Sequence, residues 1–175
     1  MSRIKLVHPK IEHQAMVNTF VEDTLKYNSS FHGFDRLEKF SDYQEWLAYM
    51  ESQKDEKQLE EGRVPAEVRF VTDEKEAYII GIVNIRYRLN EYLNDFGGHI
   101  GISIARNFRN KGFGTKALKL ALQRCKELNI DKVLITCNKT NQPSAKMITN
   151  NGGVLENEIT EENGNVVQRY WVENK

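Results

Sequence analysis

Cysteine is scarce in this chain, with two in 175 residues. So few cysteines cannot form a disulfide framework. Cys125 falls on a helical pattern and Cys137 at the end of a strand pattern, so both read as free thiols of a reducing compartment. No apolar run approaches the length of a membrane span, and no signal-peptide pattern opens the sequence. The expectation is therefore a cytoplasmic protein with no membrane partner. Net charge is also missing: 25 Lys and Arg are matched by 25 Asp and Glu. That balance argues against a general nucleic-acid binder, which carries a basic excess. No internal repeat, low-complexity linker or metal-ligand spacing is present, and the length suits one domain over residues 1–175.

The hydrophobic pattern gives the order of elements. Ile4 to Val7 reads as a short strand ended by His8-Pro9. From Ile11 to Tyr27, apolar residues at Met16, Val17, Phe20, Val21 and Leu25 repeat with helical spacing. An aromatic-rich loop, Phe31-His32-Gly33-Phe34, follows. Ser41 with Gln44 three residues on fits a capping box opening a second helix, whose apolar face is Tyr43, Trp46, Leu47 and Met50. The charged run from Glu51 to Glu61 reads as a solvated helix end or loop. Strands are expected at Ala66 to Val71, Ala77 to Arg88 and His99 to Ile104, with a connector at Asn90 to Phe96. A helix over Lys116 to Leu128, a buried strand over Lys132 to Cys137 and a short helix over Asn141 to Asn150 come next. Two last strands, Val154 to Ile159 and Val166 to Val172, flank an Asn163-Gly164 turn.

The stretch Arg109-Asn110-Lys111-Gly112-Phe113-Gly114-Thr115 lies between a strand and a helix and holds two glycines and two cations. Glycine lets the backbone turn tightly and lets a ligand approach its amides. The first amides of a helix lack intrahelical partners and carry the positive end of the helix dipole. Together these make a seat for phosphate oxygens. Spacing decides which kind of phosphate loop it is. Gly112-Phe113-Gly114-Thr115-Lys116 does not fit the Walker pattern. Gly112, Gly114 and Ala117 match the letters of a dinucleotide loop. However, a long polar gap separates them from Ile104, and the next strand ends Thr136-Cys137-Asn138 without an acidic residue.

Arg109, Gly112 and Gly114 match a third pattern: Arg or Gln, two residues, Gly, one residue, Gly or Ala. In this and in the strand before it, the helix and strand after it, and a helix opening with Asn141 and Ser144, the chain resembles the GNAT superfamily of N-acetyltransferases. The resemblance covers at least Gly97 to Ile159. It implies an α/β fold: a single GNAT-like domain with a mixed, mostly antiparallel central sheet flanked by helices on both faces.

It also implies acetyl-CoA as cosubstrate, with no metal. Residues Arg109, Asn110, Lys111, Gly112, Phe113, Gly114 and Thr115 would hold the pyrophosphate. The pantetheine arm would pair with a bulged strand at Ile102, Ser103 and Ile104, and Asn141 and Ser144 would contact the arm. The acceptor would be a small-molecule or peptide amine, its pocket lined by Phe31, His32, Phe34, Tyr43 and Trp46. The residues' own chemistry allows a plainer role for Asn141 and Ser144, as helix caps, and for the aromatics, as packing. The base is expected to be His99, with Glu91 and Asp95 as alternatives acting through water. The family's usual tyrosine acid falls at Ile148, a departure that leaves no donor there and makes an idle acyl-CoA-binding module the rival reading. A homodimer is compatible with the resemblance.

One substitution tests the seat. Gly112→Asp is expected to abolish coenzyme binding, because it places a side chain and a negative charge where phosphates would lie, while the fold stays intact. Unchanged acetyl-CoA affinity in the folded variant, measured by calorimetry, would remove the phosphate-seat reading.

Overall fold

In the computed structural model, residues 3–27 and 36–175 are described. The chain runs β1 (Ile4–Val7), α1 (Gln14–Lys26), α2 (Tyr43–Ser52), β2 (Ala66–Asp73), β3 (Ile79–Arg86), β4 (Ile100–Ile104), α3 (Phe113–Glu127), β5 (Lys132–Asn138), α4 (Gln142–Thr149), β6 (Val154–Thr160) and β7 (Val166–Glu173). The element order is the one the pattern of apolar residues predicts. The differences lie at the ends. Asp42, not Ser41, caps α2: its carboxylate accepts the Gln44 amide at 2.8 Å. The charged run after α2 forms only a short 3₁₀ turn, Glu56–Gln58.

The sheet comes in two pieces. One has the order β1-β2-β3-β4, the other β5-β7-β6, and every pairing within them is antiparallel. Helices cover both faces of the first piece, because its central strands are apolar on both sides. Val17 and Phe20 of α1 and Trp46 and Met50 of α2 pack with Val68, Phe70, Ile79 and Ile82. On the opposite face, Ala117, Leu118 and Ala121 of α3 and Ile148 of α4 pack with Ile80, Val83, Ile85 and Ile100. Simple alternation would put Ile80 and Ile82 on one face of β3. The register shift opposite Val71 and Thr72 absorbs one residue of β3, which is how Ile80 and Val83 come to share a core.

A bulge in β4 is implied by the family resemblance, but β4 pairs with β3 in unbroken register from Ile85 and Ile100 to Gly81 and Ile104. The irregularity sits one strand inward. Gly81 marks how tightly the strands pack there: a Cβ on it would lie 2.5 Å from the Ser103 carbonyl oxygen.

A buried ionic knot ties α3 to β2. Glu67 is 1% exposed. Its carboxylate accepts Arg124 Nε at 2.7 Å, Arg69 Nε at 3.1 Å and the Tyr87 hydroxyl at 3.1 Å. Burial alone would raise its pKa, but the two guanidinium groups outweigh burial and hold it at about 2. A carboxyl depressed in the fold contributes stability above its unfolded pKa and loses it as pH falls through the folded value. We therefore predict that Glu67→Gln destabilises the protein by about 3 kcal/mol at neutral pH, by leaving buried charge unpaired. The deficit should shrink as pH drops from 4.5 toward 2. Urea unfolding of both proteins across that range is the check, and a pH-independent difference would refute the linkage.

Candidate active site

The site is built where the two pieces of sheet face each other. Hydrogen bonds join β5 to the residue just before β4: the His99 amide donates to the Leu134 carbonyl at 2.7 Å, and the Leu134 amide donates to His99 Nδ1 at 2.9 Å. Past that point the strands belong to separate sheets. Which backbone groups face the gap follows from the ladder. The Arg86 amide bonds the His99 carbonyl, and the Ala105 amide bonds the Ile80 carbonyl. Bonded pairs alternate in an antiparallel ladder. Gly101 and Ser103 therefore turn their backbone toward β3, while Ile100, Ile102 and Ile104 turn theirs toward the gap. The same alternation on β5, set by the Lys139 amide on the Val166 carbonyl, turns the backbone of Leu134, Thr136 and Asn138 toward β4. Two strand edges thus confront each other across an open wedge. Of the three strand residues expected to meet the pantetheine arm, Ile102 turns its backbone there and Ile104 its amide, the Ile104 carbonyl being taken by Arg109, whereas Ser103 pairs with Ile82.

The loop at the open end of the wedge begins with a 3₁₀ turn, Arg106–Phe108. Asn110 and Gly112 take left-handed conformations with φ of 59° and 78°. Asparagine tolerates that region and glycine enters it freely. These two reversals aim the chain into α3, whose first residue is Phe113, three residues ahead of the expected start. Phe113, Gly114 and Thr115 are thus the first helical turn, and their amides have no partner inside the helix. Gly114 has a packing reason as well: a Cβ there would sit 3.0 Å from Met147 Sδ of α4.

The two cations of the loop fold back onto it. Arg109 Nε donates to the Ile104 carbonyl at 2.8 Å, and Lys111 Nζ to the Asn107 carbonyl at 2.8 Å. Aromatic stacking braces the loop from below: Tyr78 stacks on Phe108 at 5.4 Å, and Phe108 meets Phe113 edge-on at 5.6 Å. Arg106 lies over the Tyr27 ring at 4.3 Å. A cavity of about 190 Å³ opens between this aromatic group and α1. Asn151, which no sequence motif singles out, donates to the Thr115 and Met147 carbonyls at 3.1 and 2.9 Å and ties α4 to the loop helix.

The remaining expected residues fall in different places. Asn141 caps α4, its side chain accepting the Ser144 amide at 3.2 Å, so these two form the plain N-cap that their residue types favour. Tyr43 and Trp46, expected in the acceptor pocket, pack in the core. Both are buried in the core under α2, where the Tyr43 hydroxyl bonds the Lys10 carbonyl and Trp46 stacks on Phe70. Phe31, His32 and Phe34 lie outside the described residues. Glu91 is exposed, and Asp95 is half-buried and accepts the Asn94 side chain at 3.2 Å. Ile148 is fully buried in the core beneath α3. Cys125 is buried and Cys137 half-buried, both free, and burial pushes their thiols up to about 12 and 11. Among the described residues no group of His, Cys, Asp and Glu could hold a metal ion, and no helix is long and apolar enough to cross a membrane.

His99 is 7% exposed. Burial first, and the nearby Arg86 charge second, lower its pKa to about 4. Its Nδ1 lone pair is committed to the Leu134 amide. The ring of this expected base thus accepts the Leu134 amide and braces β5 against the chain entering β4.

The site is thus a split sheet whose gap opens onto helix-start amides without intrahelical partners. The sequence profile described as "Acetyltransferase (GNAT) domain" matches residues 3–154, and the chain belongs to that family. It is by class an acyltransferase. Solved structures agree in fold. The spermidine/spermine N-acetyltransferase SpeG from Vibrio cholerae superposes with a TM-score of 0.65 at 15% identity, covering 98% of this chain and 95% of that one. The yncA structure from Salmonella typhimurium, which holds its cofactor acetyl-CoA, gives 0.64 at 11%, covering 98% and 94%. The acetyltransferase that modifies the N-terminal serine of a 50S ribosomal subunit protein from Salmonella typhimurium gives 0.65 at 14%, covering 99% and 96%. No curated protein matches the sequence.

The placement of His99 has a measurable signature. Its ring should titrate near pH 4 rather than near 6.5. Because the fold favours the neutral ring, the associated stability is complete above the unfolded pKa and is lost as pH falls through 4. An NMR titration of the histidine ring protons reads this directly, and a His99 midpoint at or above 6.5 would contradict the brace.

Proposed function

We propose that the protein transfers an acetyl group from acetyl-CoA to a primary amine by direct attack within a ternary complex. The observation that carries this reading is the alignment of two features on one path. A helix start with exposed amides lies at one end of β4, and a row of gap-facing backbone groups runs from it along Ile104, Ile102 and Ile100. In this reading the residues Arg109 to Thr115 take the pyrophosphate on amides and helix dipole. The pantetheine amides replace the missing strand between β4 and β5, and Asn141 and Ser144 stand at the start of α4 beside the arm. Membership of the family and the acetyl-CoA held in a structural neighbour support the choice of coenzyme.

The chemistry asks little of side chains. A gap-facing amide of β4 donates to the thioester oxygen as negative charge develops on it. The neutral amine attacks the carbonyl carbon, and the carbon–sulfur bond breaks. A thiol has an ordinary pKa of about 8.5, so the thiolate leaves without an obligatory acid. That relieves the departure at Ile148. His99, turned toward Leu134, serves as structure; one proton of the ammonium passes to water before attack, and the proton the nitrogen sheds as the amide forms goes to the departing thiolate. The acceptors of the neighbours, a polyamine in one and a protein N-terminus in another, support an amine without choosing between small molecule and peptide.

The buried Ile148 favours one second reading, a domain that binds acyl-CoA without turnover. Thermal unfolding with acetyl-CoA, against NAD and ATP controls, tests the binding half. Ligand at a hundred times its dissociation constant adds about 2.7 kcal/mol, readily seen as a raised Tm. Acetyl-CoA alone should shift it. No shift at millimolar acetyl-CoA would refute the coenzyme assignment. A shift without thiol release over a broad amine panel would favour the second reading.

A further inference from the structure

Strand pairing does not fix the width of the gap between β4 and β5: they belong to separate sheets, and the hydrogen bonds that join the chain entering β4 to β5 lie at His99 and Leu134. Something else must hold the sheets apart at a set distance. The connector before β4 is placed to do so. After Tyr92 it winds into a π-turn, Leu93–Gly97, and leaves it at Gly98 with φ of 66°. A Cβ on Gly98 would lie 2.7 Å from the Leu134 carbonyl oxygen, so the connector presses directly on β5.

The carbonyls of this turn are taken by side chains from both sheets. Arg169 Nε of β7 donates to the Asn94 carbonyl at 2.8 Å. Thr136 Oγ1 of β5 donates to the Phe96 carbonyl at 2.7 Å. Arg86 Nη1 of β3 donates to the Gly97 and Gly98 carbonyls at 3.1 and 3.0 Å. Arg169 is 6% exposed and is steadied in turn by Asn157 and Glu156 of β6. Thr136 and Arg169 sit opposite each other in the register of β5 and β7, so their two bonds reach the turn from one face. A single turn of backbone is thereby clamped between the sheets, with one arginine donor from the first sheet and two donors from the second.

We infer that this clamped turn sets the depth of the acyl pocket, with Arg86, Thr136 and Arg169 as positioning residues that limit the acyl group to a short chain. The inference rests on the proposed coenzyme site. An arm that starts at the phosphate seat and runs along β4 from Ile104 toward Ile100 ends its acyl group against the His99–Leu134 closure. Each added methylene must then push the strands apart at the point where the turn holds them. Pockets of this kind discriminate about tenfold or more per methylene.

The test compares acetyl-CoA, butyryl-CoA and free CoA by calorimetry on the whole protein, with Thr136→Val as the probe. Valine keeps the shape of threonine and removes only the donor to Phe96. The wild-type protein should bind acetyl-CoA at least about tenfold more tightly than butyryl-CoA. Thr136→Val should lose several-fold of that preference, keep its affinity for free CoA, and recover the preference in Thr136→Ser. Should Thr136→Val not fold, Arg169→Lys, which keeps the charge and loses the fork, carries the same comparison. A lowered Tm with an unchanged acetyl-to-butyryl ratio would overturn the positioning role while leaving the coenzyme site standing. Absence of binding of all three ligands to the wild-type protein would instead overturn the coenzyme reading and this inference with it.

Discussion

Everything distinctive in this molecule follows from two strands that lie side by side without pairing. Edge strands with open backbone groups are a hazard in most proteins, because they invite another strand. Here β4 and β5 face each other inside the domain, joined at one end by His99 and Leu134 and splayed at the other. A buried backbone group needs a partner. In the function proposed above, the coenzyme's extended arm would be that partner, and the helix start beside the open end would complement its anionic terminus. The packing serves this arrangement. Two separate cores grip the first sheet from opposite faces, so the edge strand can stay open without the sheet falling apart.

Much of this was legible in the sequence, because the relevant signals are local. Gly112 and Gly114 announced the loop, and the isoleucines of β4 announced its buried face, which does pack on α3. The element order followed from hydrophobic period. What was not legible depended on the third dimension. His99 opens a strand beside Gly98, which suggests a candidate base. Only the fold reveals that Leu134, 35 positions on, donates to its ring. Tyr43 and Trp46 carry a similar ambiguity: an aromatic stripe on a helix favours packing over a pocket, and both side chains are buried.

A second kind of miss lies at element boundaries. The cap of α2 moved from Ser41 to Asp42 because both residue types accept an amide and the sequence does not rank neighbours. The start of α3 moved forward because glycine in a helix start reads as loop until its packing against Met147 is seen. Thr136, Arg169 and Asn151 carried no signal at all. Each acts by donating to a backbone carbonyl of another segment, and no spacing in the chain marks such a pair.

The division of the sheet also divides the chromophores. The chain has two tryptophans. Trp46 is buried in the core under α2, stacked between Tyr43 and Phe70, and belongs to the first sheet. Trp171 lies on β7 of the second, its indole nitrogen bonded to Glu156 and its ring under Lys132. Each half of the molecule therefore carries its own optical reporter, one in an apolar setting and one beside charge. Emission resolved by wavelength distinguishes a domain that opens along its seam from one that melts as a unit, with no label attached.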